Sequence, residues 1–165
     1  MSASPELGVC YYPEHWPEEM WITDAKNMQK NGISWVRIAE FAWSRIEPSP
    51  GVFEWGWLDK IVDILGNNGL KIVMCTPTAT PPKWLVDQMP DMVAIDENGQ
   101  ARKFGSRRHY SFSHIGYLEE SQRITKAVAE RYGQNDFVKA WQTDNEYGCH
   151  ETTYSWCLSA LREFR

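Results

Sequence analysis

Four times along this chain a short apolar run is followed by a stretch with helical spacing, and that alternation restricts the fold more than any other feature. Residues 7–12, 33–40, 71–76 and a run opening at Val138 read as strands, short and continuous in their apolar character. Each is followed by apolar positions three and four apart: Trp21, Ala25 and Met28; then Leu58, Ile61, Val62 and Leu65; then Leu118, Ile124, Ala127, Val128 and Tyr132; and, from about Thr153, Cys157, Ala160, Leu161 and Phe164. Pro17 with Glu18 and Glu19 marks the start of the first helix, and Asn31-Gly32, Gly69 and Gly133 supply stops. Strand and helix in strict alternation predict an α/β chain with a parallel sheet and crossover helices.

Two architectures satisfy that order, an open doubly wound sheet and part of a (β/α)8 barrel. A dinucleotide-binding sheet needs a glycine-rich turn after its first strand, and Tyr12-Pro13-Glu14-His15 stands there instead. A whole eight-stranded barrel needs roughly 250 residues. The 165 residues therefore correspond to about the first four β/α units, one domain piece over 1–165, and the chain reads as a fragment that stops inside a helical pattern at Arg165. A long connection at about 78–115 holds Pro81-Pro82, a short amphipathic piece around Trp84-Leu85-Val86, an Asn98-Gly99 turn and the run Arg107-Arg108-His109-Tyr110. Connections of that length are functional or disordered, and its aromatic residues argue against disorder.

Composition excludes some partners. A formal net charge of −5 argues against nucleic acid and anionic membranes. No apolar run approaches a membrane span and no signal segment opens the chain, so a cytoplasmic location is expected. The four cysteines carry no CxxC pair, as in a reducing compartment. Nine Trp, seven Tyr and six Phe are an unusual aromatic load. Indole faces stack on the apolar faces of sugar rings, although many of these rings will simply fill a core.

The fourth strand leads into Gln142-Thr143-Asp144-Asn145-Glu146-Tyr147-Gly148. A carboxylate just past a strand end, opening into the following loop, is where a (β/α) barrel places its catalytic groups. Glycoside hydrolysis needs two carboxyl groups flanking the scissile bond, one of them protonated near neutral pH. Shielding by Trp141 or Tyr147 would favour the protonated form of Glu146, and Asn145 beside it could bind a sugar hydroxyl.

The segments Gly8–Glu14, Phe41–Pro48, Thr76–Pro82, Arg107–Tyr110 and Gln142–Gly148 together resemble glycoside hydrolase family 42, the β-galactosidases. The resemblance spans nearly the whole chain in order and spacing. It implies a (β/α)8 barrel and a retaining, exo-acting enzyme with a galactoside substrate, a homotrimeric assembly and no cofactor. Glu146 matches the proton donor, and Arg107 and Asn145 match the galactose-binding arginine and asparagine. The nucleophile would lie beyond the chain end; neither Glu40, expected to face the barrel interior, nor Glu47, expected to cap or pair locally, replaces it. Some members hold a structural zinc through four cysteines. Here Ser111 stands at the first position and only Cys157 remains of the later cluster, with Cys149-His150 insufficient, so no metal is expected. Two alternatives stay open: an inactive half-barrel that associates with itself or with a missing half, and a retaining barrel glycosidase acting on another glycone such as an α-L-arabinoside.

Overall fold

In the computed structural model, residues 5–105, 107–149 and 154–165 are described. The strands are β1 (Leu7–Cys10), β2 (Ile33–Ile38), β3 (Lys71–Cys75) and β4 (Val138–Gln142). The helices are α1 (Glu18–Lys30), α2 (Trp43–Ile46), α3 (Gly56–Asn67), α4 (Lys83–Gln88), α5 (Ile115–Tyr132) and α6 (Leu158–Phe164). All strand pairs are parallel, in the order β1-β2-β3-β4. A doubly wound sheet reverses its strand order at a switch point. This one never reverses, and right-handed crossovers that always step the same way lay their helices on one face. The architecture is that of consecutive units of a (β/α)8 barrel.

The core lies between the sheet and that helical layer. Val36 and Ile38 of β2 and Ile72 and Met74 of β3 are fully buried, together with Trp21 of α1 and Leu58, Ile61 and Leu65 of α3. Each fully buried aliphatic side chain contributes about 1.5–3 kcal/mol over leaving it in water. Alternate residues on the other face, Trp35, Arg37 and Val73, are only half-buried. Proline before α1, two acids in its first turn and Lys30 in its last set the helix against its own dipole. His114 caps α5, its Nδ1 accepting the Tyr117 amide at 3.1 Å.

Several details depart from the expectations above. β1 is not a buried strand: it lies at a sheet edge with Leu7 56% exposed, because no further strand covers it among the described residues. The buried face of α5 is Tyr117, Ile124, Val128 and Tyr132, while Leu118 lies exposed, because Tyr117 reaches inward to the Thr78 carbonyl. The expected start of α6 at Thr153 lies outside the described residues. Cys157 is the buried cap of α6 rather than part of its stripe, and Phe164 is exposed.

The described residues of the long connection form defined turns, bridges and a short helix. A turn at Pro77–Ala79 leads into α4, and two antiparallel bridges, Val93↔Tyr110 and Ile95↔Ala101, close a hairpin over the Asn98-Gly99 turn. Asp96 Oδ1 accepts the amides of Asn98 and Gln100, and Gly99 takes the left-handed φ of +78° that the turn requires. The hairpin returns residues 107–110 to the C-terminal ends of the strands, where the Arg108 amide binds the Ala79 carbonyl at 3.1 Å. No described helix is long and apolar enough to cross a membrane.

Candidate active site

Parallel strands end on the same side of the sheet, so the loops after β1, β2, β3 and β4 meet there. They bring Tyr12, Glu40, Thr76 and the segment 143–148 to one rim. Glu146 stands four residues past β4, its side chain 47% exposed, and its Oε2 lies 3.5 Å from Arg107 Nη1. Asn145, between Glu146 and the strand, is buried. Thus the three residues singled out in the sequence converge. The shielding expected from Trp141 or Tyr147 is not found: the Glu146 side chain is half-exposed and ion-paired, and Tyr147 packs against Phe112 and the Arg108 guanidinium.

Beneath this pair runs a hydrogen-bonded row across the sheet. Arg37 donates from Nη2 to Glu40 Oε2 at 2.6 Å and from Nη1 to Gln142 Oε1 at 2.6 Å. Gln142 in turn donates from Nε2 to the Asp144 carbonyl at 2.8 Å, and the Tyr12 hydroxyl donates to Glu40 Oε2 at 2.8 Å. Burial, and then the bond to Glu40, push the Tyr12 phenol above its ordinary pKa, so it stays a donor. Glu40, expected to face the barrel interior, stands in this row as a buried carboxylate paired with Arg37. Phe41 stacks on Tyr12 with ring centres 5.7 Å apart, and Arg107 lies 5.3 Å over the Phe41 ring. An aromatic surface thus supports the arginine that faces Glu146.

Arg108 is the largest surprise at the rim. Beside Arg107 it reads as half of a solvated basic pair, yet it is fully buried and turned to Asp144 and the Glu146 carbonyl. Residues 107 and 108 lie in a turn, Arg108 with a left-handed φ of +57°, so no strand-like alternation separates the two arginines in the sequence. Asp144, Tyr110 and Thr76 carried no signal of their own either.

Glu47 lies away from the rim, fully buried and bonded to Trp43, Gly51 and Arg123, so it pairs both locally and across the fold. Ser111 and Cys157 do come together, with Ser111 hydrogen-bonding the thiol. Burial raises the Cys157 pKa, but the bonds from Ser111 and Ser155 and from the Ala160 and Ser159 main chain together outweigh it and leave the thiol below its ordinary value. A serine at the first ligand position leaves this set unfit for a four-ligand zinc. No group of three or more His, Cys, Asp or Glu side chains gathers among the described residues, and His150 lies outside them.

The rim offers a half-exposed carboxyl, a guanidinium able to donate paired hydrogen bonds, and a row of fixed polar groups behind them. That equipment suits binding a polyhydroxylated ligand and exchanging a proton with it.

Comparison with known proteins gives this geometry a family. A β-galactosidase from Thermus thermophilus is 55% identical over 159 residues, covering 96% of this chain and 25% of its own length. A β-galactosidase from Halorubrum lacusprofundi is 50% identical, with 96% of this chain and 23% of its own covered. The crystal structure of a β-galactosidase from the psychrophilic Marinomonas ef1 superposes with a TM-score of 0.95 at 56% identity, over 97% of this chain and 24% of that one. The chain spans about a quarter of the length of the curated relatives it matches. The glycoside hydrolase family 42 profile, β-galactosidase, matches residues 10–165. The chain belongs to glycoside hydrolase family 42.

Proposed function

We propose that this chain supplies the proton-donor side of a retaining β-galactosidase acting on terminal, non-reducing β-D-galactosyl residues. In this reading it is the first half of a (β/α)8 catalytic barrel, and the nucleophilic carboxylate comes from a part of the barrel outside these residues. Glu146 protonates the glycosidic oxygen as the nucleophile attacks the anomeric carbon. The resulting carboxylate of Glu146 then takes a proton from the water that cleaves the glycosyl-enzyme. Arg107 holds the Glu146 carboxylate and presents its remaining N–H groups to the sugar, and Asn145 binds a sugar hydroxyl beside the reacting carbon.

The observation that carries the reading is the convergence of Arg107 and Glu146, 3.5 Å apart, at the end of the fourth parallel strand. The relatives' names favour a galactoside over an arabinoside. The family resemblance also leads us to propose a homotrimer, and the cysteine usage a reducing, cytoplasmic setting; light scattering on the full-length gene product tests the assembly.

Glu146→Gln in the full-length gene product is expected to slow hydrolysis of a natural galactosyl disaccharide by about 10²–10⁴-fold. Hydrolysis of the disaccharide at the unaltered rate would remove Glu146 from the chemistry.

A further inference from the structure

Four described residues other than glycine adopt a left-handed backbone, and three of them, Arg108, Asp144 and Glu146, meet at the candidate proton donor with φ of +57°, +53° and +45°. That region is costly for any residue with a Cβ and persists where the surroundings enforce it. The enforcing groups are visible. The Asp144 amide donates to Thr76 Oγ1 at 2.7 Å, and the Asp144 carbonyl accepts from Gln142 Nε2 at 2.8 Å. Asp144 Oδ1 accepts the Asn145 amide at 2.5 Å, and Oδ2 accepts the Tyr110 hydroxyl at 3.2 Å. The buried Arg108 guanidinium donates to the carbonyl of Glu146 itself, and its Nη2 lies 3.5 Å from Asp144 Oδ1. It is sandwiched near Phe112 and Tyr147, 5.6 Å and 5.4 Å from their ring centres.

A pair that only joined two loops would not need to grip these particular peptide groups. The plane between Asp144 and Asn145 is held at both its oxygen and its N–H, and the plane after Glu146 is held at its oxygen. Because peptide groups are planar, holding the one that follows Glu146 and the one a residue before it narrows the directions in which its side chain leaves the backbone.

We propose that Arg108, with Asp144 as its counter-ion, is a positioning residue that aims the Glu146 carboxyl. The neighbouring arginines divide the work: Arg107 faces the carboxylate of Glu146 from the solvent side, and Arg108 holds its main chain from below. This rests on the reading of Glu146 as proton donor, and the test separates the two.

The experiment compares Arg108→Lys, Asp144→Asn, Tyr110→Phe and a Glu146→Ala control in the full-length gene product, with folding checked by circular dichroism and melting. The readout is kcat/KM on aryl β-D-galactosides running from 2,4-dinitrophenyl, whose leaving group departs without a proton, to phenyl, which needs one. Glu146→Ala is expected to lose far more on phenyl than on dinitrophenyl. Arg108→Lys and Asp144→Asn should show the same split, with phenyl falling about 10–100-fold and dinitrophenyl less than about 3-fold. Tyr110→Phe keeps the packing and removes one bond to Asp144, and should show the split at about 3–10-fold. It decides the matter if the two charged-pair variants do not fold. An even loss on both substrates, or no loss, in the folded variants while Glu146→Ala shows the split would overturn the positioning role. Absence of the split in Glu146→Ala itself would overturn the proton-donor reading instead.

Discussion

Removing the Glu47 carboxylate should destabilise the fold more than any exposed acid could, and the structure allows the size to be worked out. Glu47 is fully buried and receives Trp43 Nε1 at 3.0 Å, the Gly51 amide at 2.7 Å and Arg123 Nη2 at 2.8 Å. Its main-chain oxygen accepts Trp84 Nε1 at 3.0 Å, so one residue ties the β2–α3 connection to α4 and α5. In Glu47→Ala, the buried Trp43 indole loses its acceptor at about 1–3 kcal/mol, while the Gly51 amide belongs to an exposed residue and loses less because water can replace the carboxylate. Arg123 loses less, because its side chain is 36% exposed and keeps Glu120 at 2.7 Å. Relief from burying a charge offsets part of this, leaving a net loss of about 2 kcal/mol. Arg123→Leu leaves the carboxylate its two neutral donors and should cost about 1–2 kcal/mol after allowance for solvent screening. Urea unfolding followed by tryptophan fluorescence measures both, provided the slope is unchanged. A Glu47→Ala midpoint within about 0.5 kcal/mol of the parent at equal slope would refute the reasoning, since surface substitutions behave that way.

Glu14→Gln should stabilise the protein in a pH-dependent manner. Both Glu14 carboxyl oxygens are buried without a hydrogen-bond partner among the described residues, and burial is the largest cause raising its pKa above the ordinary 4.5. The fold prefers the protonated form, a preference fully expressed below the ordinary value and lost as pH rises through the folded one. The melting advantage of Glu14→Gln should therefore open above about pH 4.5 and shrink below it; an equal gap at pH 4 and pH 7.5 would contradict the assignment. Gly66→Ala should destabilise by about 1–3 kcal/mol in urea despite alanine's better helix propensity. A Cβ there falls 2.0 Å from Phe137 Cγ, and a stabilised variant would show that the ring yields freely.

The fold was largely legible because its signals are local. Strand runs bounded by Pro13, Gly32 and Pro77 and the stripe of α3 name their own elements, and the observed strands differ from the expected ones mainly at their C-terminal ends. There the chain turns early: Ala39, expected to lie in β2, has φ of +69° and already leaves the sheet. At the candidate site, Glu146, Asn145 and Arg107 were singled out through their resemblance to a known pattern, and the first two also by their place after β4. Arg108 and Asp144 were not, nor was the pairing of Glu47 with Arg123 away from the rim, because each rests on a partner 36, 38 or 76 residues away. Residue type and periodicity report which side of an element is apolar, and they carry no information about which buried charge answers which.

The strand order has a consequence for how the molecule assembles. Since spatial order repeats chain order, every unit can dock on a neighbour already in place, and no strand waits for a later one to be inserted beside it. The loops to be closed are unequal, however: Leu7 has only to find Ile33, whereas Ile72 must find Val138 across the whole hairpin connection. A loop some two and a half times longer adds about 0.8 kcal/mol of closure entropy, surrendered before any contact returns it. Among the four strands, the one that presents Glu146 therefore pairs at the greatest entropic disadvantage. Because closure entropy grows only with the logarithm of loop length, further residues inserted between β3 and β4 would add little to that cost.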